Sequence, residues 1–468
     1  MNYEEIKYEK KDAIQKLNNI EKDNMFVYAN EYIKFLNEAK TEYKCVEVCV
    51  RELEEAGFRN ILDVDKLEAG SKVYYINKDR ALYFAIIGKD NIQNGLNIVG
   101  AHIDSPRLDT KPMPLFEKQN IALMKTQYYG GIKKYHWLAI PLCMYAIVYT
   151  KKGEKLDFVV GEEDTDPVFT ITDLLPHLAR EESQKKAGEF VDPENLAVIV
   201  GSIKDKAEEK ESIKANVLKL LNKKYGICEI DFARSDIRFV PKFKASYVGF
   251  DKGIIAGYGQ DDRVCAYAVL ASILNISKED KIYYRTMVGL LVDKEEIGSE
   301  GNTSMNSNAF ELFIQMIMDK KGEVSSSLSL NITLNNSYML SADVSAAVDP
   351  LHEGLSDIQN GNILGCGVSI EKYTGSGGKY SANDASAKYM SKVMNLFDKA
   401  NVSYQMGTLG KIEKGGGGTI AYILANKGVE VVDSGTALLS MHSPYELSST
   451  ADVYMTYRAY KEFFKEMK

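Results

Sequence analysis

Residues 95–106 read GLNIVGAHIDSP. The apolar run through Val99 has the character of a central strand buried on both faces. His102 stands just past the end of that run, and Asp104 follows two residues later on the same side of an extended chain. The strand therefore delivers an imidazole and a carboxylate to one rim of a sheet. Histidine is scarce, with five in 468 residues, and a second one, His442, sits in SMHSPYE. Between the two lie three acidic clusters: GYGQDDR (Asp261, Asp262), VDKEEIGSEG (Glu295, Glu296) and SADVSAAVDP (Asp343). Each follows or ends a short apolar, strand-like run.

Working outward, residues 11–56 carry helical periodicity through Phe26, Tyr32, Ile33 and Leu36, then Val46, Val50 and Leu53. KVYYINKDRALYFAIIG (72–88) reads as two β-rich runs joined by a polar turn. Residues 113–160 show several strand-like runs with no helical pattern between them. A lysine-rich helix is expected over 205–224 and strand character over 226–250. From Tyr258 onward helices and strands alternate. Helices are expected at 262–274, 302–318, 384–400 and 418–427. Strands are expected at 283–293, 329–345, 402–407 and 428–437. That rhythm predicts an α/β domain with a largely parallel sheet flanked by helices. The economical layout is a discontinuous catalytic domain of residues 1–110 and 247–468, with a β-rich domain of 110–246 inserted.

Composition narrows the function. Hydrophobic residues make up 45% and charged residues 26%, ordinary for a globular chain. The net charge of −8 offers no basic stripe for nucleic acid. The first residues are charged throughout and lack the apolar core of a signal peptide. The longest apolar run, 137–149, is too short to span a bilayer and contains Pro141. No membrane contact is expected, and a cytoplasmic location is the default. The six cysteines lack the paired spacing of a structural zinc site, and Cys45 with Cys49 reads as core packing.

Two imidazoles and several carboxylates converging at strand ends are the ligands of a hydrolytic two-metal centre. The residues divide as His102 and Asp343 for one ion, Glu296 and His442 for the other, and Asp261 between them. An oxygen-rich site with one imidazole per ion suits Zn2+, with Co2+ or Mn2+ as alternatives. Asp104 is placed to orient His102. Of the adjacent pair, Glu296 would bind metal and Glu295 would act as general base. Taken singly, these signals are weak. An isolated HxD is commonly just hydrogen-bonded, an EE pair is commonly a solvated turn, and DD before a helix is a capping pattern. Their shared position at strand ends in a histidine-poor chain favours the metal reading.

At these residues the sequence resembles the M18 family of metalloaminopeptidases (the aspartyl aminopeptidase and vacuolar aminopeptidase I family). The resemblance is carried by GAHIDSP, TQYYGG, LLPHLA, GQDDR, DKEEIGS, SADVSAAVDP, KYSANDAS, GGGGTIAYILA and MHSPYE, in the family's order. It implies a zinc-peptidase-like α/β domain with an inserted β domain and a homo-oligomer, a dodecamer enclosing the active sites. It also implies two divalent ions per subunit and removal of one residue from peptides with a free N-terminus. His102, Asp261, Glu296, Asp343 and His442 match the family's ligands, Asp261 the bridging one. Glu295 matches the base, and Asp104 the aspartate beside the first histidine.

Departures from the family pattern bear on specificity. His177 lies where the family can reach a neighbouring subunit's site, yet Glu181 replaces a further histidine of the aspartyl enzymes. Gly377 stands where those enzymes carry a substrate-pairing lysine, with Lys379 two residues on, and Ala346 replaces another family histidine. An acidic side chain entering a pocket needs a cationic partner, so both an acidic and a neutral or apolar first residue remain open. Gly417, Gly418 and Thr419 fall in the family's substrate loop, where glycines let backbone N–H groups approach a carbonyl. Two competitors also remain open: another binuclear-metal amide hydrolase, such as a deacylase or carboxypeptidase, and a scaffold without catalysis.

Overall fold

The computed structural model describes residues 2–375, 377–380 and 382–468. The chain divides into two compact units. One comprises residues 1–104, 245–441 and 445–468, and the other comprises 105–244 with 442–444.

The first unit is built on a nine-stranded mixed sheet. Its strands are β1 (Arg59–Asn60), β2 (Lys72–Asn77), β3 (Ala81–Ile86), β4 (Leu96–His102), β5 (Thr286–Val292), β6 (Tyr338–Ser341), β7 (Val368–Glu371), β8 (Tyr404–Met406) and β9 (Glu430–Gly435). They run in the order β1-β2-β3-β5-β4-β6-β9-β7-β8. The centre, β5-β4-β6-β9, is parallel throughout, while β3 and β7 pair with it antiparallel. Central strands buried on both faces explain the unbroken apolar runs. Successive residues feed two cores: Val99 and Ala101 face one, Leu96 and Ile98 the other. Helices Asn19–Glu38, Glu42–Glu55, Gln260–Ile276, Ala387–Lys399 and Thr450–Glu466 contribute to the first core, and Ala309–Lys321 to the second. A smaller five-stranded sheet, which includes Ile254–Gly257 and Glu446–Ser449, completes this unit.

The second unit holds a six-stranded sheet whose neighbouring strands all pair antiparallel. Helix Ser212–Tyr225 belongs to the same unit. Among the described residues no helix is long and apolar enough to cross a membrane.

Three sequence expectations need correction. The helix expected from 205 starts at Ser212, after a turn and bends at 206–211. Residues 329–345 are not one strand: Ser327–Asn335 is a helix, and β6 begins at Tyr338. Ser326 and Ser329 cap each other reciprocally, and Thr333 and Leu334 are buried. Capping and burial therefore override the β-branched appearance of NIT. The helix expected from 302 starts at Ala309, because residues 301–308 form turns tied by Ser304 and Ser307.

Candidate active site

Parallel strands present their carboxyl ends together, and that rim of an α/β sheet is where such folds bind ligands. His102 is the last residue of β4, Asp343 follows β6 by two, and Glu295 and Glu296 sit in a short turn just past β5. Asp261 and Asp262 open helix Gln260–Ile276 in non-helical conformations, with a cis peptide between them. The preceding Gly259 has φ +70°, and a Cβ there would lie 2.0 Å from the Arg263 guanidinium. Only glycine allows the chain to turn over that buried arginine.

The first unit brings most of the expected groups together. His102 is 2% exposed. Its Nδ1 lies 3.0 Å from the main-chain oxygen of Asp104 and 3.4 Å from the Asp104 carboxylate. Because a carbonyl only accepts, Nδ1 is the donor, and Nε2 is turned to the far side. There Nε2 faces Asp261 Oδ1 at 3.1 Å, Asp343 Oδ1 at 3.8 Å and Glu295 Oε2 at 3.9 Å. Two sets have their ligand atoms mutually within 4.8 Å: His102 with Asp261 and Glu296, and His102 with Asp262 and Asp343.

Charge crowding makes this a place for a cation. Burial by itself disfavours the His102 imidazolium, but the bonds to Asp104 and Asp261 and the charge of Asp343 outweigh it and raise its pKa well above the usual value. Burial pushes the Asp343 carboxyl well up; His102 opposes this, and Glu295, Asp262 and Asp261 push it further. Asp262 is raised in the same way, by burial first, then by Asp261 against His102. Buried and part-buried carboxylates aimed at one imidazole nitrogen, whose other nitrogen is held by a carbonyl, match the donor set of zinc.

The supporting contacts are equally specific. Asp104, fully buried, accepts the N–H of Glu295 on Oδ1 at 3.1 Å and that of Glu296 on Oδ2 at 3.2 Å. The N–H of Asp261 donates to Glu446 Oε2 at 3.1 Å. Neither Asp262 nor Glu446 stood out as a site residue in the sequence; adjacency to Asp261 and to His442 was the only signal either carried.

The other expected residues have these surroundings. His442 belongs to the second unit, where its Nδ1 donates to the Gly131 carbonyl at 2.8 Å. His177, in the same unit, is exposed. Lys379 pairs with Asp384 at 3.0 Å and lies 3.9 Å from the centre of the Tyr373 ring. Its segment, SGGKYSAN, includes Ser376 and Ser381, which fall outside the described residues. The Gly417 carbonyl accepts the Gly375 N–H, Gly418 follows it, and Thr419 Oγ1 donates to Asp433 Oδ1 at 2.6 Å.

Known proteins resemble the chain over nearly its whole length. A family model described as Aminopeptidase I zinc metalloprotease (M18) matches residues 35–464. A probable M18 family aminopeptidase 1 of Clostridium acetobutylicum is 43% identical over 460 residues, covering 97% of this chain and 98% of that protein. The crystal structure of an M18 family aminopeptidase from Thermotoga maritima has a TM-score of 0.94 at 42% identity, covering 98% of this chain and 100% of that one. The S. cerevisiae mApe1 dodecamer structure has a TM-score of 0.76 at 21% identity, covering 95% of this chain and 97% of that one, a likeness of fold alone. The chain belongs to the M18 family of aminopeptidases, hydrolases described as zinc metalloproteases.

Proposed function

We propose that the protein removes the N-terminal residue from peptides with a free amine, using two zinc ions and Glu295 as general base. The observation that carries this reading is the convergence of Asp261, Asp343 and Glu295 oxygens on His102 Nε2. His102 and Asp343 would hold one ion, Glu296 and His442 the other, and Asp261 both. Bound zinc supplies positive charge that acidifies water and polarises the scissile carbonyl. Glu295 accepts a proton from the attacking water as the water oxygen bonds to the carbonyl carbon. It returns that proton to the amine nitrogen as the C–N bond breaks. Asp104 keeps the Glu295 and Glu296 amides, and so their side chains, in register.

Around the reacting carbonyl, Gly417, Gly418 and Thr419 would present backbone and hydroxyl groups to substrate, with His177 and Lys379 as outer contacts. Because Lys379 already faces Asp384, the reading favours a neutral or apolar first residue over an acidic one. In this reading residues 1–110 and 247–468 are a zinc-peptidase-like α/β domain, and 110–246 serve as an inserted oligomerisation domain. Assembly as a dodecamer draws support from the yeast relative that shares the fold. A cytoplasmic location draws support from six free cysteines, which suit a reducing compartment.

The test is an assay of protein loaded in turn with zinc, cobalt or manganese against unblocked and N-acetylated aminoacyl substrates. Metal-dependent cleavage of unblocked substrates alone is the expected result. Cleavage of acetylated substrates, or none with any metal, would overturn the reading in favour of a deacylase or a scaffold.

A further inference from the structure

Arg80 stands in the turn between β2 and β3, within an unremarkable KDR triplet distant from every acidic cluster. Its guanidinium nevertheless joins two fully buried acids. Nη2 is 3.0 Å from Glu42 Oε1, and Nε is 2.9 Å from Asp293 Oδ2. Glu42 opens helix Glu42–Glu55, and Asp293 is the first residue past β5. Asp293 Oδ2 also accepts the Thr303 hydroxyl at 2.7 Å, and the Asp293 N–H donates to the Thr303 carbonyl at 3.2 Å. From the start of the same turn, Asn77 Nδ2 donates to the Asn302 carbonyl at 2.8 Å.

The β2–β3 turn thus grips both ends of segment 293–303, the segment that carries Glu295 and Glu296. Asp104 holds its middle through the two glutamate amides. Glu42, Asp104 and Asp293 are each 0% exposed. A cation placed among buried like charges offsets their repulsion and fixes their geometry. A guanidinium reaches two carboxylates at once through its planar fork, whereas an ammonium is a single point charge.

We propose that Arg80 is a positioning residue: by tying Asp293 to Glu42 it sets where the Glu295 carboxylate stands, and so governs turnover rather than substrate affinity. The turnover half of this inference rests on the reading of Glu295 as base; the placement half does not.

The experiment compares Arg80→Lys and the charge-matched double variant Arg80→Met/Asp293→Asn with wild type, with Glu295→Gln run alongside. Zinc content, melting temperature, kcat and KM at saturating zinc, and hydrogen exchange of the Glu295 and Glu296 amides in metal-free protein are measured. Both Arg80 variants are expected to stay folded and to bind zinc. Their kcat should fall at least tenfold with KM within threefold, and the two amides should exchange at least tenfold faster. Wild-type exchange in both variants overturns the proposal. So does a fall in kcat that only tracks lost zinc or lost folded protein. If Glu295→Gln is as active as wild type, the base reading is what fails, and amide exchange alone then decides whether Arg80 places the turn. If Glu295→Gln is inactive, fast exchange with unchanged kcat overturns the proposal.

Discussion

Asp104 Oδ1 accepts the backbone N–H of Glu295 at 3.1 Å, joining the end of one central strand to the turn beyond its neighbour. Through Oδ2 the same carboxylate takes the Glu296 N–H, and through its main-chain oxygen the residue holds His102 Nδ1. One aspartate therefore couples an imidazole, a proposed ligand and the proposed base.

Replacing that carboxylate should release both glutamate amides and take away the oxygen 3.4 Å from His102 Nδ1, while the main-chain contact to His102 stays. Asp104→Ala is expected to cost on the order of 3 kcal/mol of stability, because two part-buried amides lose their carboxylate acceptor. It should also weaken zinc binding by about 10–100-fold. Calorimetric unfolding and zinc titration measure the two effects. An unchanged zinc affinity would mean that the amides hold their places without Asp104.

Glu295→Gln should retain zinc and lose about 10²–10⁴-fold in kcat, since proton transfer goes while ligation is spared. Metal analysis beside steady-state kinetics separates the two. Loss of zinc with a residual rate proportional to occupancy would exchange the roles of Glu295 and Glu296.

Leucyl substrates should be cleaved faster than aspartyl ones, and Lys379→Ala should leave that order intact. Lys379 is half-exposed and paired with Asp384, which also binds Lys372. A panel of unblocked substrates reads this directly. A preference for aspartyl substrates that disappears in Lys379→Ala would assign the lysine to the pocket.

Glu371 predicts a pH dependence of stability. It lies opposite Asp433 on neighbouring strands, and its carboxyl is pushed up to about 7 by burial, then by Asp433, against bonds from Ser345 and Asn362. The folded state therefore keeps a proton that the unfolded chain releases from about pH 4.5 upward. This contribution is full below about 4.5 and is lost as pH rises through about 7, amounting to roughly 3 kcal/mol. Glu371→Gln retains an acceptor for Ser345 and Asn362 and should flatten the slope between pH 5 and 8. Denaturant unfolding across that range tests it, and a slope equal to wild type would exonerate Glu371.

Much of the first unit could be read beforehand, because doubly buried strands leave apolar runs and polar chemistry concentrates where those runs stop. That is how GLNIVGAHID and YYRTMVGLLVD disclosed β4 and β5 together with His102 and Glu295. The helix Ser327–Asn335 was missed because its serine capping box is a local device that β-branched neighbours disguise. Glu446 was missed because its role is to accept one amide from a residue distant in sequence.

The sequence by itself determined which functional groups exist, that they fall at strand ends, and the family to which they belong, since residue identity and hydrophobic period are local properties. Tertiary structure alone decided that β5 inserts between β3 and β4, so that the ends carrying His102 and Glu295 become neighbours. It also decided that the Asp104 carbonyl turns His102 Nε2 toward the carboxylates, and that Arg80 reaches Asp293. Strand order and hydrogen-bond direction arise from contacts between distant segments, and no local pattern encodes them.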